Sequence, residues 1–345
     1  MKIFDMHVHC FNMPNNIKVL YETADQMGFE KINVMAAPPY FGITQNIQVM
    51  YCKAYEPLRT YCFGGLEYET GRSFLEQAKI LHSMGADGFK SIEGKPGIRK
   101  ELGIALDDAV YDDFYNYLAE QKLPILMHIA DPPEFWDYDK MPQWAKDSNS
   151  FYDESFVSYA QFYDEVEGLL KKHPKLNVIL AHFYFLSNDM PKAEYILETY
   201  PNVVFDLTAG TEMYTNFSKD IAGWRKFFEK YQDRILFGTD STDDNSEEGT
   251  RNRDIINNME VKFLQTDEKI EAWDLDIKGL GLNKAVQQKI FYDNVHRLVK
   301  PKPTALNFPV VYKEIDYLID FCEKHKRDAD VETLNILKQK ISALK

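Results

Sequence analysis

Two histidines near the amino terminus of this 345-residue chain have the spacing of a metal-binding pair. They lie in the segment Asp5-Met6-His7-Val8-His9, which is expected to form the end of a strand. Residues two apart in a strand face the same side, so His7 and His9 project together and can bind one divalent cation. Taken alone, the spacing is just as typical of two half-buried histidines that make ordinary hydrogen bonds.

Three further polar residues follow apolar runs elsewhere in the chain. His128, His182 and Asp240 each end a short segment rich in Leu, Ile or Val. Four of the eight histidines therefore fall at the ends of expected strands, which chance placement would not produce. Imidazole and carboxylate together suit Zn²⁺, Mn²⁺ or Fe²⁺. We expect these side chains to bind one or two divalent ions, with zinc favoured.

The elements that carry these residues alternate between strands and helices. This alternation predicts parallel strands joined by right-handed crossovers, and eight units within about 240 residues fit a (β/α)₈ TIM barrel with its site at the carboxyl ends of the strands. A doubly wound open sheet usually has a glycine-rich turn after its first strand, and none is present here. The expected strands are Lys2–His9, Lys31–Pro38, Tyr61–Tyr68, Asp87–Gly94, Leu123–Ala130, Asn177–Phe183, Asn202–Ala209 and Arg234–Ser241.

Two segments interrupt the alternation. Residues 131–163 are long, aromatic and rich in Pro and Asp, which is typical of an active-site loop or lid. Thr242–Asp254 is polar and acidic, and helices are expected to fill the remainder of the chain. We expect a barrel over residues 1–303 and a C-terminal helical extension over residues 304–345 that packs on it.

The composition excludes two classes of partner. The chain has 40 Lys and Arg against 54 Asp and Glu, a net charge of −14, which opposes binding to nucleic acid or to a membrane surface. No apolar run approaches the roughly 20 residues of a membrane span. The four cysteines show no CxxC pair, which favours a reducing compartment. We expect a cytoplasmic protein with a small-molecule substrate and, from general frequency, a homodimer.

The combined pattern resembles the amidohydrolase superfamily of metal-dependent barrel enzymes. Leu180-Ala181-His182-Phe183, Phe237-Gly238-Thr239-Asp240 and the segment 291–298 are similar to its amidohydrolase-related branch, which includes aminocarboxymuconate semialdehyde decarboxylase. The resemblance covers roughly residues 1–300 and implies a TIM barrel with a metal centre. That branch contains both hydrolases and non-oxidative decarboxylases, so the resemblance does not specify the substrate.

The fourth expected strand bears on whether one metal or two are bound. Its segment 88–96 resembles a family segment in which a lysine, often carboxylated to bridge two metals, precedes a proline. Aligned on that proline, Glu93 occupies the bridging position, and TatD-type hydrolases look similar in using a glutamate. Strand alternation places Lys90 on the opposite face from Glu93. Glu93 is therefore either a metal ligand or a solvated carboxylate paired with Lys95.

Two reactions are compatible with these ligands. In a hydrolase of an amide, ester or lactone, the metal activates water, Asp240 acts as ligand and general base, and His182 is a ligand or donates to the substrate oxygen. In a decarboxylase or hydratase of a cyclic or aromatic acid, the metal holds the substrate carboxylate while an acid protonates carbon. The hydrolase is the expected reaction and the lyase the alternative.

Three residues are expected to contact the substrate. Asp131 and Trp136 begin the long loop, and Asp206 ends the seventh expected strand. Asp206 has a second interpretation, as a carboxylate that orients a neighbouring histidine. A barrel that binds a ligand without catalysis is a further class, which bound metal would argue against. A nuclease is disfavoured by the net charge.

Overall fold

Eight parallel strands, paired in chain order, form one sheet in the computed structural model, which describes the backbone of residues 1–345 and every side chain except that of Thr211. The strands are β1 (Ile3–His9), β2 (Phe29–Met35), β3 (Thr60–Gly65), β4 (Gly88–Gly94), β5 (Ile125–Ile129), β6 (Val178–Leu180), β7 (Val203–Asp206) and β8 (Ile235–Leu236).

The chain after β8 returns to β1 and brings the sheet to near closure. The amide of Met6 donates to the carbonyl of Phe237 at 3.0 Å, and the amide of Asp240 donates to the carbonyl of His7 at 2.8 Å. A sheet of eight parallel strands that meets its own first strand is a (β/α)₈ barrel. The fold expected from the sequence is therefore confirmed.

Helices lie between the strands, and further helices follow the barrel. Those before β8 are α1 (Ile17–Met27), α2 (Pro38–Phe41), α3 (Gln45–Tyr55), α4 (Phe74–Met84), α5 (Pro96–Leu102), α6 (Asp112–Gln121), α7 (Gln143–Asp147), α8 (Tyr159–Lys172), α9 (Met190–Thr199), α10 (Thr211–Lys219) and α11 (Ile221–Lys230). Those after β8 are α12 (Glu247–Gln265), α13 (Lys284–Gln288), α14 (Phe308–Lys324) and α15 (Asp328–Ala343). Single helical turns are formed by Ala109–Tyr111, Pro133–Trp136, His182–Phe185, Lys289–Asp293 and Val295–Arg297.

Three local expectations need correction. The predicted sixth strand, Asn177–Phe183, ends at Leu180 because the backbone becomes left-handed at His182. The predicted eighth strand, Arg234–Ser241, is regular only to Leu236. The segment after α12 is not wholly helical. It contains a small antiparallel hairpin of β9 (Lys269–Ile270) and β10 (Ile277–Lys278).

Strand alternation gives the barrel interior a dry lower layer and a polar upper one. Leu126 of β5 and Val204 of β7 face inward, and two residues further on the same faces carry His128 and Asp206. The polar side chains therefore rest on an apolar floor, which excludes water from below. The floor is formed mainly by Phe4, Met6, Met35, Tyr61, Phe63, Leu126, Ile179, Val204 and Leu236.

The C-terminal helices pack against the outside of the barrel. Arg72, just before α4, forms a 2.5 Å ion pair with Glu314 of α14, and Asp87 accepts the amide of Thr304 at 2.7 Å. Asp87 also forms a buried 2.7 Å ion pair with Lys53 of α3. Among the described residues, no helix is long and apolar enough to cross a membrane.

Candidate metal centre

A bulge in β1 turns both of its histidines into the barrel. Met6 faces the apolar floor, and the pairing of β1 with β2 slips between Asp5 and Val8. Such a bulge changes the direction of the side chains that follow it. His7 and His9 consequently share the inner face, with ring centroids 5.2 Å apart. Their shared orientation agrees with the expectation from their spacing.

Two more histidines reach this point from neighbouring strands. His128 lies on the inner face of β5, at its carboxyl end. Ala181 faces the barrel interior, so a continuing strand would point His182 outward. The positive φ of His182, 55°, turns its side chain inward instead. Nδ1 of His128 then lies 3.1 Å from Nε2 of His182.

His182 opens a left-handed turn, His182–Phe185, whose four non-glycine residues have φ values of 55°, 52°, 56° and 50°. Left-handed backbone costs such residues roughly 1–2 kcal/mol each, so surrounding contacts must stabilise the turn. The amide of His182 donates to Asp206 at 2.8 Å. Phe183 packs against Phe205 and Phe217, with ring centroids 4.9 and 5.0 Å away. Backbone strain of this kind concentrates at functional sites.

Asp206 orients His7. Its Oδ2 accepts a hydrogen bond from Nδ1 of His7 at 2.8 Å, and the carboxylate is fully buried. On the other side of the ring, Nζ of Lys90 lies 3.3 Å from Nε2. Because a lysine ammonium only donates, Nδ1 carries the proton and Nε2 offers a lone pair. These contacts match the second interpretation of Asp206, that of an orienting carboxylate, and leave it no contact with the cavity.

Asp240 lies where β8 would end, with a positive φ of 56°. Its Oδ1 is 3.4 Å from Nε2 of His7 and 3.5 Å from Nε2 of His9. Burial raises the pKa of Asp240 to about 6, with the charge of Asp206 adding to the rise and Lys90 opposing it. A carboxyl group with that pKa can both take and give a proton near neutral pH.

Nδ1 of His128 and Nε2 of His182 face each other as two hydrogen-bond acceptors, an arrangement that a cation would stabilise. Burial lowers the pKa of His128 to about 4 and that of His182 to about 3, so both rings are neutral at pH 7. His182 donates Nδ1–H to the carbonyl of Thr208 at 3.3 Å, and His128 donates Nε2–H to Asp131 at 3.2 Å. Two lone pairs then face each other across 3.1 Å without a proton between them.

The donor separations also have the size expected of a metal site. With Zn–N distances of about 2.0–2.1 Å, neighbouring ligand atoms of a tetrahedral site lie roughly 3.3 Å apart. The contacts of 3.1, 3.4 and 3.5 Å described above lie close to that value. His7, His182 and Asp240 each offer an atom within 4.8 Å of the others. This set of imidazole and carboxylate donors fits a divalent ion.

The structure brings Lys90 to this cluster, and it does not bring Glu93. Lys90 is buried on the inner face of β4, and burial lowers its pKa to about 8 although Asp240 and Asp206 favour the charged amine. Glu93 lies on the opposite face, where its Oε1 accepts a hydrogen bond from Tyr68 at 2.9 Å. Alignment on the following proline therefore selected the residue that faces away. Glu93 does not belong to the set of donors described above.

A cavity of about 200 Å³ opens above the cluster. The rings of Phe11 and Phe41 lie 4.2 Å apart on one side of it, and Phe11 stacks against His9 at 6.0 Å. Lys90 and Lys95 bring two amines to the same cavity. Phe11, Phe41, Lys90 and Lys95 are not among the site residues predicted from the sequence. A larger cavity of about 630 Å³ lies between α4 and α14 and contains none of these side chains.

The two loop residues expected to touch the substrate have other contacts. Asp131 accepts hydrogen bonds from Tyr152 at 2.5 Å and from Lys95 at 3.3 Å, besides that from His128. Although burial alone would raise it, Lys95, His128 and Tyr152 hold the pKa of Asp131 below its ordinary value. The indole of Trp136 donates to a backbone carbonyl of its own loop at 3.0 Å. Neither residue lines the cavity.

The comparisons with known proteins define the class. A sequence profile described as amidohydrolase matches residues 5–300. The chain therefore belongs to the amidohydrolase family, whose members are enzymes that act on small molecules and usually bind a divalent metal. The superfamily expected from the sequence motifs is confirmed. No curated protein matches the chain.

Solved structures of low sequence identity share the fold. A TIM-barrel protein from Bordetella bronchiseptica has a TM-score of 0.56 at 14% identity, over 86% of this chain and 98% of that one. The 2,6-dihydroxybenzoate decarboxylase of a Rhizobium has a TM-score of 0.53 at 16% identity, over 86% and 98%. The 4-oxalomesaconate hydratase of Rhodopseudomonas palustris has a TM-score of 0.52 at 13% identity, over 94% and 99%.

Proposed function

We propose that the chain is a metal-dependent lyase that decarboxylates or hydrates a cyclic or aromatic carboxylic acid. The observation that carries the proposal is the lining of the cavity, where two lysine side chains and two phenyl rings in contact with each other lie above the histidines and Asp240. In a chain with a net charge of −14, paired lysines at the site favour an anionic substrate. The rings of Phe11 and Phe41 favour a flat, conjugated one.

The donors proposed for the ion are His7, His9, His128, His182 and Asp240. A bound divalent ion supplies a positive charge that binds substrate oxygens and stabilises negative charge developing on them. Asp206 fixes the proton of His7 on Nδ1, and Asp131 fixes that of His128 on Nε2, so the other nitrogens stay available. Zinc, manganese and iron(II) all suit this donor set.

The side chains around the donors bind and orient the substrate. The side chain of Lys95 is 29% exposed and lines the cavity; its amine, which is 3.3 Å from Asp131, can also pair with the substrate carboxylate. Phe11 and Phe41 hold the conjugated plane against one side. Lys90 adds a second positive charge at the base of the cavity. In this proposal, the scissile or unsaturated carbon of the substrate lies next to Asp240.

Asp240 is proposed to transfer the proton. In decarboxylation, its carboxyl group protonates the ring or alkene carbon, the bond to the carboxylate breaks and CO₂ leaves, so the product has C–H where the substrate had the carboxylate. In hydration, its carboxylate takes a proton from the water that adds to the double bond and returns it to the adjacent carbon.

A hydrolase of an amide, ester or lactone is the second candidate. The placement of Asp240, whose Oδ1 lies within 3.5 Å of Nε2 of both His7 and His9, also suits a general base that takes a proton from attacking water. The two candidates share their donors and differ in the bond that breaks. Their products therefore separate them.

The test is a product assay on protein reconstituted with Zn²⁺ or Mn²⁺. The first probes are dihydroxybenzoates for CO₂ release, unsaturated carboxylates such as 4-oxalomesaconate for hydration, and aromatic lactones for acid release. The proposal predicts CO₂ release or hydration by the wild type, with Asp240→Asn as the inactive control. Turnover of lactones alone would contradict the lyase and favour the hydrolase.

A further inference from the structure

We infer that Tyr163 of α8, which lies outside the cavity, is a positioning residue that holds His182 in the site by hydrogen bonding to the left-handed turn. The inference rests on the proposed function, because Tyr163 can affect catalysis only if His182 is a donor at the metal site. It concerns a group that touches neither the cavity nor any of the proposed donors.

Two tyrosines of α8 contact successive carbonyls of the turn. The hydroxyl of Tyr163 donates to the carbonyl of Tyr184 at 2.8 Å, and the two rings lie 4.5 Å apart. Tyr159, one helical turn earlier, has its hydroxyl 2.5 Å from that of Tyr163 and 3.3 Å from the carbonyl of Phe185. Both hydroxyls reach the end of the turn opposite to His182.

The turn needs contacts at both ends to keep its conformation. Its start is held by the hydrogen bond from the amide of His182 to Asp206. Four consecutive non-glycine residues with positive φ have extended and right-handed alternatives of lower intrinsic energy. A bond to one end alone does not exclude those alternatives. The tyrosine hydroxyls supply the second attachment.

The far end of the turn is in contact with the site. Phe185 stacks on the ring of His182 with centroids 5.2 Å apart and planes inclined by 23°, and it lies 5.7 Å from His128. A turn that relaxed towards an extended strand would withdraw Phe185 and point His182 away from the barrel interior. The hydroxyl of Tyr163 therefore acts on His182 through Tyr184 and Phe185.

The test compares Tyr163→Phe with Tyr115→Phe. Tyr115 is similarly buried, and its hydroxyl donates to the carbonyl of Leu106 at 3.1 Å, so Tyr115→Phe removes a buried tyrosine hydrogen bond that does not involve the turn. Tyr163→Phe removes the bond to Tyr184 and also the contact with the hydroxyl of Tyr159. Two quantities are measured on the full chain. One is the dissociation constant of Zn²⁺, obtained by competition with a chelator. The other is the NMR signal of the His182 ring in metal-free protein, assigned by its loss in His182→Gln.

Tyr163→Phe is expected to weaken Zn²⁺ binding about tenfold, the lower end of the effect of removing a group that orients a ligand, and to shift or broaden the His182 signal. Tyr115→Phe should leave both unchanged at a similar loss of stability. An unmoved His182 signal together with an unchanged dissociation constant in Tyr163→Phe would overturn the inference. If the wild type bound no Zn²⁺, the metal proposal would fail, and the NMR signal alone would decide the role of Tyr163. If Tyr163→Phe does not fold, Tyr159→Phe is measured in the same way.

Discussion

Nδ1 of His128 lies 3.1 Å from Nε2 of His182, and the hydrogen bonds on the far sides of the two rings leave no proton between these nitrogens. Asp131 accepts from His128, and the carbonyl of Thr208 accepts from His182. An unpaired buried acceptor is unfavourable, and two that face each other are more so. A cation between or beside them would remove that penalty, which is the basis for the proposed metal centre.

The first prediction concerns His128→Gln. The amide can donate to the lone pair of His182, which offsets the loss of the His128 donor to Asp131, so the metal-free variant should unfold at a temperature close to that of the wild type. It should bind Zn²⁺ at least about tenfold more weakly, because a donor nitrogen has been lost. Added Zn²⁺ should therefore raise the melting temperature of the wild type more than that of the variant. His325→Gln, on the exposed C-terminal end of α14, is the control.

The second prediction concerns the attachment of the long loop. Tyr152 donates to Asp131, which is nearly buried and charged. Tyr152→Phe should lower the free energy of unfolding by about 1–3 kcal/mol, since a buried charged acceptor loses a donor. Urea unfolding measures this loss against that of Tyr138→Phe. Tyr138 is 56% exposed, so this control should change stability by less than about 0.5 kcal/mol. Equal effects would mean that Asp131 does not depend on the loop.

The third prediction concerns the ion pair at the opposite end of the barrel. Lys53 and Asp87 are 1% and 2% exposed, and Asp87 also accepts the amides of Cys62 and Thr304. Lys53→Met should therefore cost about 3–5 kcal/mol of stability, because it leaves a buried charge without its partner. Lys171→Met, which breaks an exposed ion pair with Glu167, should cost less than about 1 kcal/mol. A similar loss in both variants would contradict this account.

The fourth prediction concerns pH. Burial raises the pKa of Glu212 to about 7, and the charges of Glu134 and Asp131 add to the rise. The folded state then binds more protons than the unfolded state between about pH 4.5 and 7, so this group lowers the free energy of unfolding as pH rises through that window. Between pH 5 and pH 8, the free energy of unfolding of Glu212→Gln should therefore rise by on the order of 2 kcal/mol relative to that of the wild type. Glu229→Gln, on the exposed face of α11, should show no such change.

Much of the fold and part of the site could be predicted from the sequence. The alternation of apolar runs with helical segments was enough to predict the barrel, because the spacing of apolar residues in strands and in helices can be read from short stretches of sequence. The spacing of His7 and His9 predicted their shared face, although the bulge that turns them inward was not visible in the sequence. His128 and Asp206 followed from the same alternation as the apolar residues below them.

Other features depend on backbone geometry or on distant contacts. The left-handed turn at His182–Phe185 contains no glycine, so no residue type signalled it. The choice between Lys90 and Glu93 depends on which face of β4 is turned away from the barrel interior. The ring of Phe89 lies 5.3 Å from that of Phe114 of α6, so the face that carries Phe89 and Glu93 is the outer one. Phe11, Phe41 and Lys95 lie beyond the ends of the strands. The alternation of side chains along a strand therefore does not predict where they point.

Anomalous diffraction from crystals of the wild-type protein, recorded at the absorption edges of zinc, manganese and iron, would show directly whether a metal ion is bound at this site. We expect one strong peak within coordination distance of His7, His182 and Asp240, identified by the edge at which it appears. A second peak at Glu93 is not expected, because that side chain faces Tyr68. Catalytically active crystals without a peak at these residues would contradict the proposed metal centre.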